Sequence, residues 1–325
     1  MEAERMHPLR FWQWLTVLLL CCLQALALAA SREPCPTTAN PSAAEWKALP
    51  AKARDHGLLW KISKGGHSSW LYGTLHVGKP QWFFPGPQLR AALAASDHLM
   101  LELDPTAPAT AAAMQDRSRW GLGFAELPAP LQDRLLQEVR RACLPEEIAG
   151  SMSVAMLGVT LQVLEARRIG LDAAFGSEMM LLQQAKAAGK PLLTLETARE
   201  QFDLFEGIPR QDMLAMLPPS LEQLRSRALL KQTARLAESW ARGDAADLAS
   251  YETWCDCVNT AAERAFMARL GPERNRRMAP NIDAAHRSGK RLFVAVGALH
   301  LVGRDGLPAL LQQQGYTVER IAFAP

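Results

Sequence analysis

Trp70-Leu71-Tyr72-Gly73-Thr74-Leu75-His76 and Leu292-Phe293-Val294-Ala295-Val296-Gly297-Ala298-Leu299-His300 decide the fold of this chain. Each is an apolar, strand-like run closed by Gly-x-x-His, so each imidazole is expected where a buried strand ends and a loop begins. Folds place chemistry at such ends. The glycine lets the backbone turn or approach a neighbour without a Cβ clash, and a neutral imidazole offers a nitrogen to a metal or a proton. Gly73 and Gly297 are therefore read together with His76 and His300 as parts of one binding site.

Upstream of the first run, Leu58 to Ile62 alternates apolar and polar residues and Gly65-Gly66 supplies a turn. This predicts a β-hairpin whose second strand is Ser69 to His76. Downstream, Leu89, Ala92 and Leu93 recur at helical spacing within Pro87 to Ser96, and Leu99 to Leu103 follows as a compact strand. The chain from about Ala109 to Leu248 is helical by periodicity, with Leu131, Leu135, Leu136 and Val139 as one apolar stripe. Within it, a helix from about Asp172 to Ala188 stops at Gly189-Lys190-Pro191, and Leu192 to Glu196 has the form of a central strand. Asn259 to Leu270 and Glu273 to His286 read as helix, the latter broken or kinked by Pro280. Arg291 to Val296, Leu307 to Gln314 and Tyr316 to Phe323 read as strand, helix and strand. The expected fold class is α/β (α+β): a central mixed β-sheet with flanking helices and a large helical insertion at about 109–250.

With 325 residues, 49% hydrophobic and 21% charged, the chain has material for one sizeable core or two small ones. The formal charge is +3, with basic residues scattered among acids, so nucleic acid is not expected as a partner. Arg5 and Arg10 precede an uncharged run from Phe11 to Ala30 that contains Ala27-Leu28-Ala29 near its end. Residues 1–29 read as a signal peptide. The alternative is an uncleaved anchor, since about 20 apolar residues also span a bilayer. The protein is thus expected to be exported, periplasmic or in the cell envelope, meeting a membrane only if that segment stays attached. Residues 30–45 read as a linker, and 46–325 as the folded domain. Export permits disulfides among Cys35, Cys143, Cys255 and Cys257. Cys255-x-Cys257 reads as a disulfide or inert thiols, because structural zinc needs four ligands.

Glu102 sits among Leu99, Met100, Leu101 and Leu103, where burying a carboxylate is costly without a partner. Strand alternation could send it to solvent, or it could join His76 and His300, since two imidazoles and a carboxylate suit a catalytic divalent ion with an open position. His67, His98 and His286 read as surface residues. Ser69 and Ser153 lack a Gly-x-Ser-x-Gly elbow, and the chain has no His-Glu-x-x-His, Walker lysine loop or dinucleotide glycine fingerprint.

Trp70 to Gly78, Leu101-Glu102-Leu103, Leu193-Thr194-Leu195-Glu196-Thr197 with Gln201, Glu273-Arg274-Asn275 to Met278, and Val296 to Leu301 together resemble the TraB/GumN (TraB/PrgY) family in its GumN-like branch. The resemblance runs from about Leu58 to Phe323. It implies a relation to the Tiki metalloproteases, in which two Gly-x-x-His motifs and a glutamate build a divalent-metal peptidase site, on a fold similar to erythromycin esterases and haem-binding ChaN-like proteins. By that resemblance His76 and His300 are metal ligands, Glu102 is a ligand or the general base, and Arg274 is a fixed cation for a carboxylate or an oxyanion. Glu196 and Gln201 match family positions suited to sheet packing and hydrogen bonding. The implied activity is a metal-dependent hydrolase, a peptidase acting on a peptide or protein, with manganese, cobalt, zinc or iron as the ion. The alternative is a non-catalytic envelope protein that binds haem, a metal or a signalling peptide in the same pocket; ester hydrolysis is a third reading.

Overall fold

The hairpin forms around the glycine turn that the sequence marks. Strand β1 (Leu58–Lys64) pairs antiparallel with β2 (His67–Thr74), and Gly65 and Gly66 between them adopt φ of +62° and +84°, open to glycine at no steric cost. The computed structural model describes residues 33–323, so the signal peptide expected over residues 1–29 lies outside the described residues. The unit from Pro36 onward holds every helix and strand named below.

The remaining strands are β3 (His98–Leu101), β4 (Leu192–Thr194), β5 (Leu292–Gly297) and β6 (Thr317–Ile321). They form one six-stranded sheet in the order β4-β3-β5-β2-β1-β6. Neighbours from β4 to β2 run parallel, while β1 is antiparallel to both β2 and β6. The α/β class with a mixed sheet is thus the architecture. Strand β5 lies in the sheet interior between β3 and β2, and it is apolar from Leu292 to Val296 because both of its faces are buried.

Leu192 to Glu196 differs from its expectation: β4 is an edge strand, partly exposed, and not a central one. Its ladder nevertheless continues past the strand ends, with Leu195 N–H donating to Leu101 O at 2.8 Å and Glu196 N–H to Glu102 O at 3.0 Å. Strand β2 ends at Thr74, short of His76, because Leu75 finds its partners elsewhere: its N–H donates to the Ser177 hydroxyl at 2.7 Å and its carbonyl accepts from Ser177 N–H at 3.0 Å. The helix expected from Asp172 splits into a tight turn, Ala173–Phe175, and a helix, Ser177–Ala187. The Asp172 carboxylate caps the turn by accepting from Ala174 N–H at 2.8 Å.

Pro280 does not break its helix, which runs from Arg274 to Arg287. Pro280 and Arg276 both sit on the exposed side, so the carbonyl that loses its i+4 donor can be hydrated. The opposite side buries Met278, Ile282 and His286 at i, i+4 and i+8. His286 is therefore not a surface residue. Its Nδ1 accepts from the Ser69 hydroxyl at 2.8 Å, its Nε2 donates to Lys64 O at 3.0 Å, and His67 stacks on it. His98 is half-buried and pairs with Asp97 at 2.6 Å.

The sheet and the helical insertion have separate cores. One joins the sheet to its covering helices through residues such as Leu59, Leu71, Phe293 and Ile282. The other lies within the helices, around Leu135, Leu157, Leu217 and Leu221. The last residues of the expected linker already fold, as Ser42 caps the helix Ala43–Ala48 and Trp46 packs on Phe83, Phe84 and Phe175. Cys255 and Cys257 form a disulfide. Among the described residues no helix is long and apolar enough to cross a membrane.

Candidate active site at the carboxyl ends of the strands

Four parallel strands deliver polar residues to one end of the sheet. His76 follows β2, Glu102 follows β3, Glu196 follows β4, and Gly297 to His300 close β5. Thr74 pairs with Gly297 and Leu101 with Ala295, so the loops after β2, β5 and β3 leave the sheet side by side. In open α/β sheets this is where ligands bind.

The centre of the group is Arg274, the first residue of its helix. Its Nε donates to Glu196 at 3.0 and 3.1 Å, and its Nη2 reaches both Glu196 and Glu102. Its Nη1 lies 3.0 Å from His300 Nε2. A guanidinium can only donate, so that imidazole nitrogen carries a lone pair, and the proton is on Nδ1, which donates to Asn275 Oδ1 at 2.6 Å. Glu102 is buried and both of its oxygens accept: Oε1 from Gly297 N–H at 2.7 Å, and Oε2 from Arg274 and, at 3.3 Å, from Gln201. The carboxylate thus ties the second Gly-x-x-His motif to the arginine.

His76 lies apart from this buried cluster. Its side chain is 72% exposed, and its Nδ1 is 2.8 Å from Glu178 Oε1. Glu178 stands in the first turn of the helix that Ser177 fastens to Leu75. His76, Glu102, Glu178, Thr74 and Gln201 line one cleft of about 260 Å³. Among the described residues no three or more His, Cys, Asp or Glu side chains stand close enough together to hold a metal ion as a group.

Burial and charge set the protonation states. Burial lowers His300 to about 4, against the opposing pull of Glu102. Burial also raises Glu102, but His300, Arg274, His76 and the Gly297 N–H outweigh it and hold the carboxyl at about 2. With His300 neutral at pH 7, Arg274 is the cation that keeps Glu102 ionised. The Glu178 carboxylate raises His76, an effect that water screens in part because the ring is exposed. Burial raises Glu178, while His76 and the Thr74 hydroxyl overcome it and leave the carboxyl lowered.

The two motif glycines do different work. A Cβ on Gly73 would meet Ala298 Cα at 3.0 Å and its Cβ at 3.1 Å, so the first motif packs against the second through its missing side chain. A Cβ on Gly297 would meet only ordinary contacts, at 3.5 Å to His300 and 3.6 Å to Glu102. Gly73→Ala is expected to cost about 1–3 kcal/mol of stability, as overpacking does, and Gly297→Ala about 1 kcal/mol or less. Equal urea midpoints for the two variants would contradict this difference.

Pattern reading singled out His76, His300, Glu102 and Arg274, and the structure brings the last three into contact. It missed Glu178 and gave Asn275 no role. The only local sign of Glu178 is an acidic residue just after Gly176-Ser177 at a helix start, which ordinarily reads as a favourable charge at a helix N-terminus.

The TraB/PrgY/gumN family model matches residues 58–320, the whole span from the first strand into the last. The chain belongs to the TraB/PrgY/gumN family. Uncharacterized protein YbaP of Escherichia coli is 26% identical over 280 residues, covering 78% of this chain and 97% of that protein. YbaP of Shigella flexneri matches to the same extent. Metalloprotease TIKI1 of Homo sapiens is 25% identical over 359 residues, covering 95% of this chain and 69% of that protein. No solved structure matches the chain significantly.

Proposed function

We propose that this family member is an exported, metal-dependent hydrolase of peptide bonds, with its reaction in the cleft between His76 and Glu102. The observation that carries the reading is the way both motif histidines are fastened. His300 Nδ1 donates to Asn275 Oδ1 at 2.6 Å, and His76 Nδ1 stands 2.8 Å from Glu178 Oε1 as an ion pair, so Nε2 is the candidate coordinating atom of both rings. Ligating histidines are oriented in this way. The donor chemistry of two imidazoles suits a divalent ion, and three carboxylates against the Arg274 guanidinium and the raised His76 imidazole leave an excess of negative charge that such an ion would offset. A cation at His300 Nε2 would take the place of the Arg274 Nη1 contact. The name of the human relative supports the same class.

When bound, the ion would polarise the scissile carbonyl and lower the pKa of a water molecule. The chain's own residues position and charge the site. Glu178 fixes the His76 ring, and Asn275 fixes that of His300. Arg274, anchored by Glu196, keeps a buried permanent positive charge beside Glu102, which lines the cleft. Glu102 is a poor proton acceptor near neutral pH because its carboxyl is held at about 2. Its part is to hold Arg274 and the Gly297 backbone in register, while Oε1, which accepts only from Gly297 N–H, keeps a lone pair for a metal.

The test is metal analysis together with turnover of a quenched fluorescent peptide library. Wild type stripped with chelator should lose turnover and regain it with manganese, cobalt, zinc or iron. His76→Ala and His300→Ala should each lose bound metal and at least a hundredfold in turnover. Glu178→Gln and Asn275→Ala should weaken metal affinity by about 10–100-fold. Unchanged turnover in the two histidine variants would rule the reading out, and ligand binding without turnover in wild type would favour a binding protein.

A further inference from the structure

The cleft has a second character that the proposed chemistry does not use. Beside its polar residues the cleft is lined by Leu103, Pro105, Ala173 and Met179, all at least partly open to solvent. Met179 is 43% exposed, and among the described residues it and Met114 are the large apolar side chains that remain exposed. Exposing a methionine on the rim of a cleft forfeits burial that a bound apolar group would restore. Met179 directly follows Glu178, so the apolar wall begins one residue from the group that orients His76.

Both sides of this wall are fixed by hydrogen bonds. Asp104 holds the turn beyond Leu103, accepting from Thr106 N–H at 2.8 Å and, through its carbonyl, from the Thr110 hydroxyl at 2.6 Å. Met179 rides on the helix that Ser177 locks to Leu75. The available volume, about 260 Å³, lies just below the range of about 300–1,000 Å³ typical of sites for whole small molecules. It suits a single side chain with its flanking peptide.

We infer that the cleft receives an apolar side chain of the substrate, on a residue adjoining the hydrolysed bond, against Met179, Leu103 and Pro105, with Met179 setting its specificity. The inference rests on the proposed hydrolase reading for what is bound, but the wall itself is independent of any metal. An acidic side chain there would be desolvated beside Glu102 and Glu178, which line the same cleft.

The experiment compares peptides that differ only at the residue before or after the cleaved bond, carrying Leu, Phe, Asp or Lys. Wild type should favour Leu or Phe over Asp at one of the two positions by at least tenfold in kcat/KM. Met179→Glu should shift the Leu to Lys ratio by tenfold or more, mainly through KM, while Met179→Leu keeps the wild-type order. Binding of the same peptides is measured separately by calorimetry on the chelator-treated full chain. Peptides cleaved without preference, or a Leu to Lys ratio unmoved by Met179→Glu, overturn the inference and leave the hydrolase reading standing. Peptides bound with the apolar preference but never cleaved sink the hydrolase reading and support the wall.

Discussion

Replacing Arg274 with methionine should destabilise the protein by about 3–5 kcal/mol, the loss seen when one partner of a buried ion pair is removed. The side chains of Arg274 and Glu196 are 7% and 3% exposed, and that of Glu102 is 10% exposed. Without the guanidinium, Glu102 keeps Gly297 and Gln201 as donors, but Glu196 loses the fork that engages both of its oxygens. Two carboxylates then repel one another in a poorly solvated space. Glu196→Gln should be milder, because it leaves one carboxylate opposite one guanidinium. Arg274→Lys should fall between, since an ammonium cannot span both acids in the fork geometry. Combining Arg274→Met with Glu102→Gln and Glu196→Gln should recover much of the loss. Urea unfolding at neutral pH reads all of these, and an Arg274→Met midpoint within error of wild type would show that the cluster is solvated and inessential.

Acid should weaken the fold well above the range in which carboxylates titrate. His300 is lowered from 6.5 to about 4 by burial, so between those values the unfolded chain binds a proton that the folded chain refuses. Stability therefore falls as pH drops from 6.5 toward 4, by about 3 kcal/mol for a shift of that size. His286, lowered by burial as well, acts with the same sign. Glu102 opens a second window below this one: its carboxyl is depressed from 4.5 to about 2, so its contribution is complete above 4.5 and disappears as pH falls through 2. His76 works in the opposite sense. Its pKa is raised, so its contribution is complete below 6.5 and is lost as pH rises through the folded value, though water screens an exposed ring. As pH is lowered from 7 to 4, thermal midpoints should fall steeply in wild type and less steeply in His300→Gln. Parallel slopes would remove His300 as the cause, and proton NMR of the imidazoles offers a direct check.

The strands were legible because burial repeats with a local period. Leu292 to Val296 could hardly be anything else, and Gly65-Gly66 announced the hairpin. The failures share one cause. Leu192 to Glu196 reads as a central strand from its composition, yet whether a strand has one neighbour or two is a property of the sheet. Pro280 lacks a donor wherever it stands, but the cost depends on whether the carbonyl it abandons faces water. His286 beside two alanines looked superficial, although its spacing from Met278 and Ile282 already put it on the buried stripe.

The sequence alone determined that two Gly-x-x-His motifs end two strands, that Glu102 needs a partner if it is buried, and that the chain is of the α/β class. These follow from near-neighbour patterning and from the cost of burying charge. Only the tertiary structure decided that β2 and β5 lie side by side, that the partner of Glu102 is Arg274, and that Glu178 orients His76. It also separated two histidines that look equivalent in sequence: one exposed and raised by a carboxylate, the other buried, neutral and held against a guanidinium. The reason is physical. A side chain's pKa and hydrogen bonds depend on which distant groups the sheet order brings within a few ångströms, and no spacing along the chain encodes that distance.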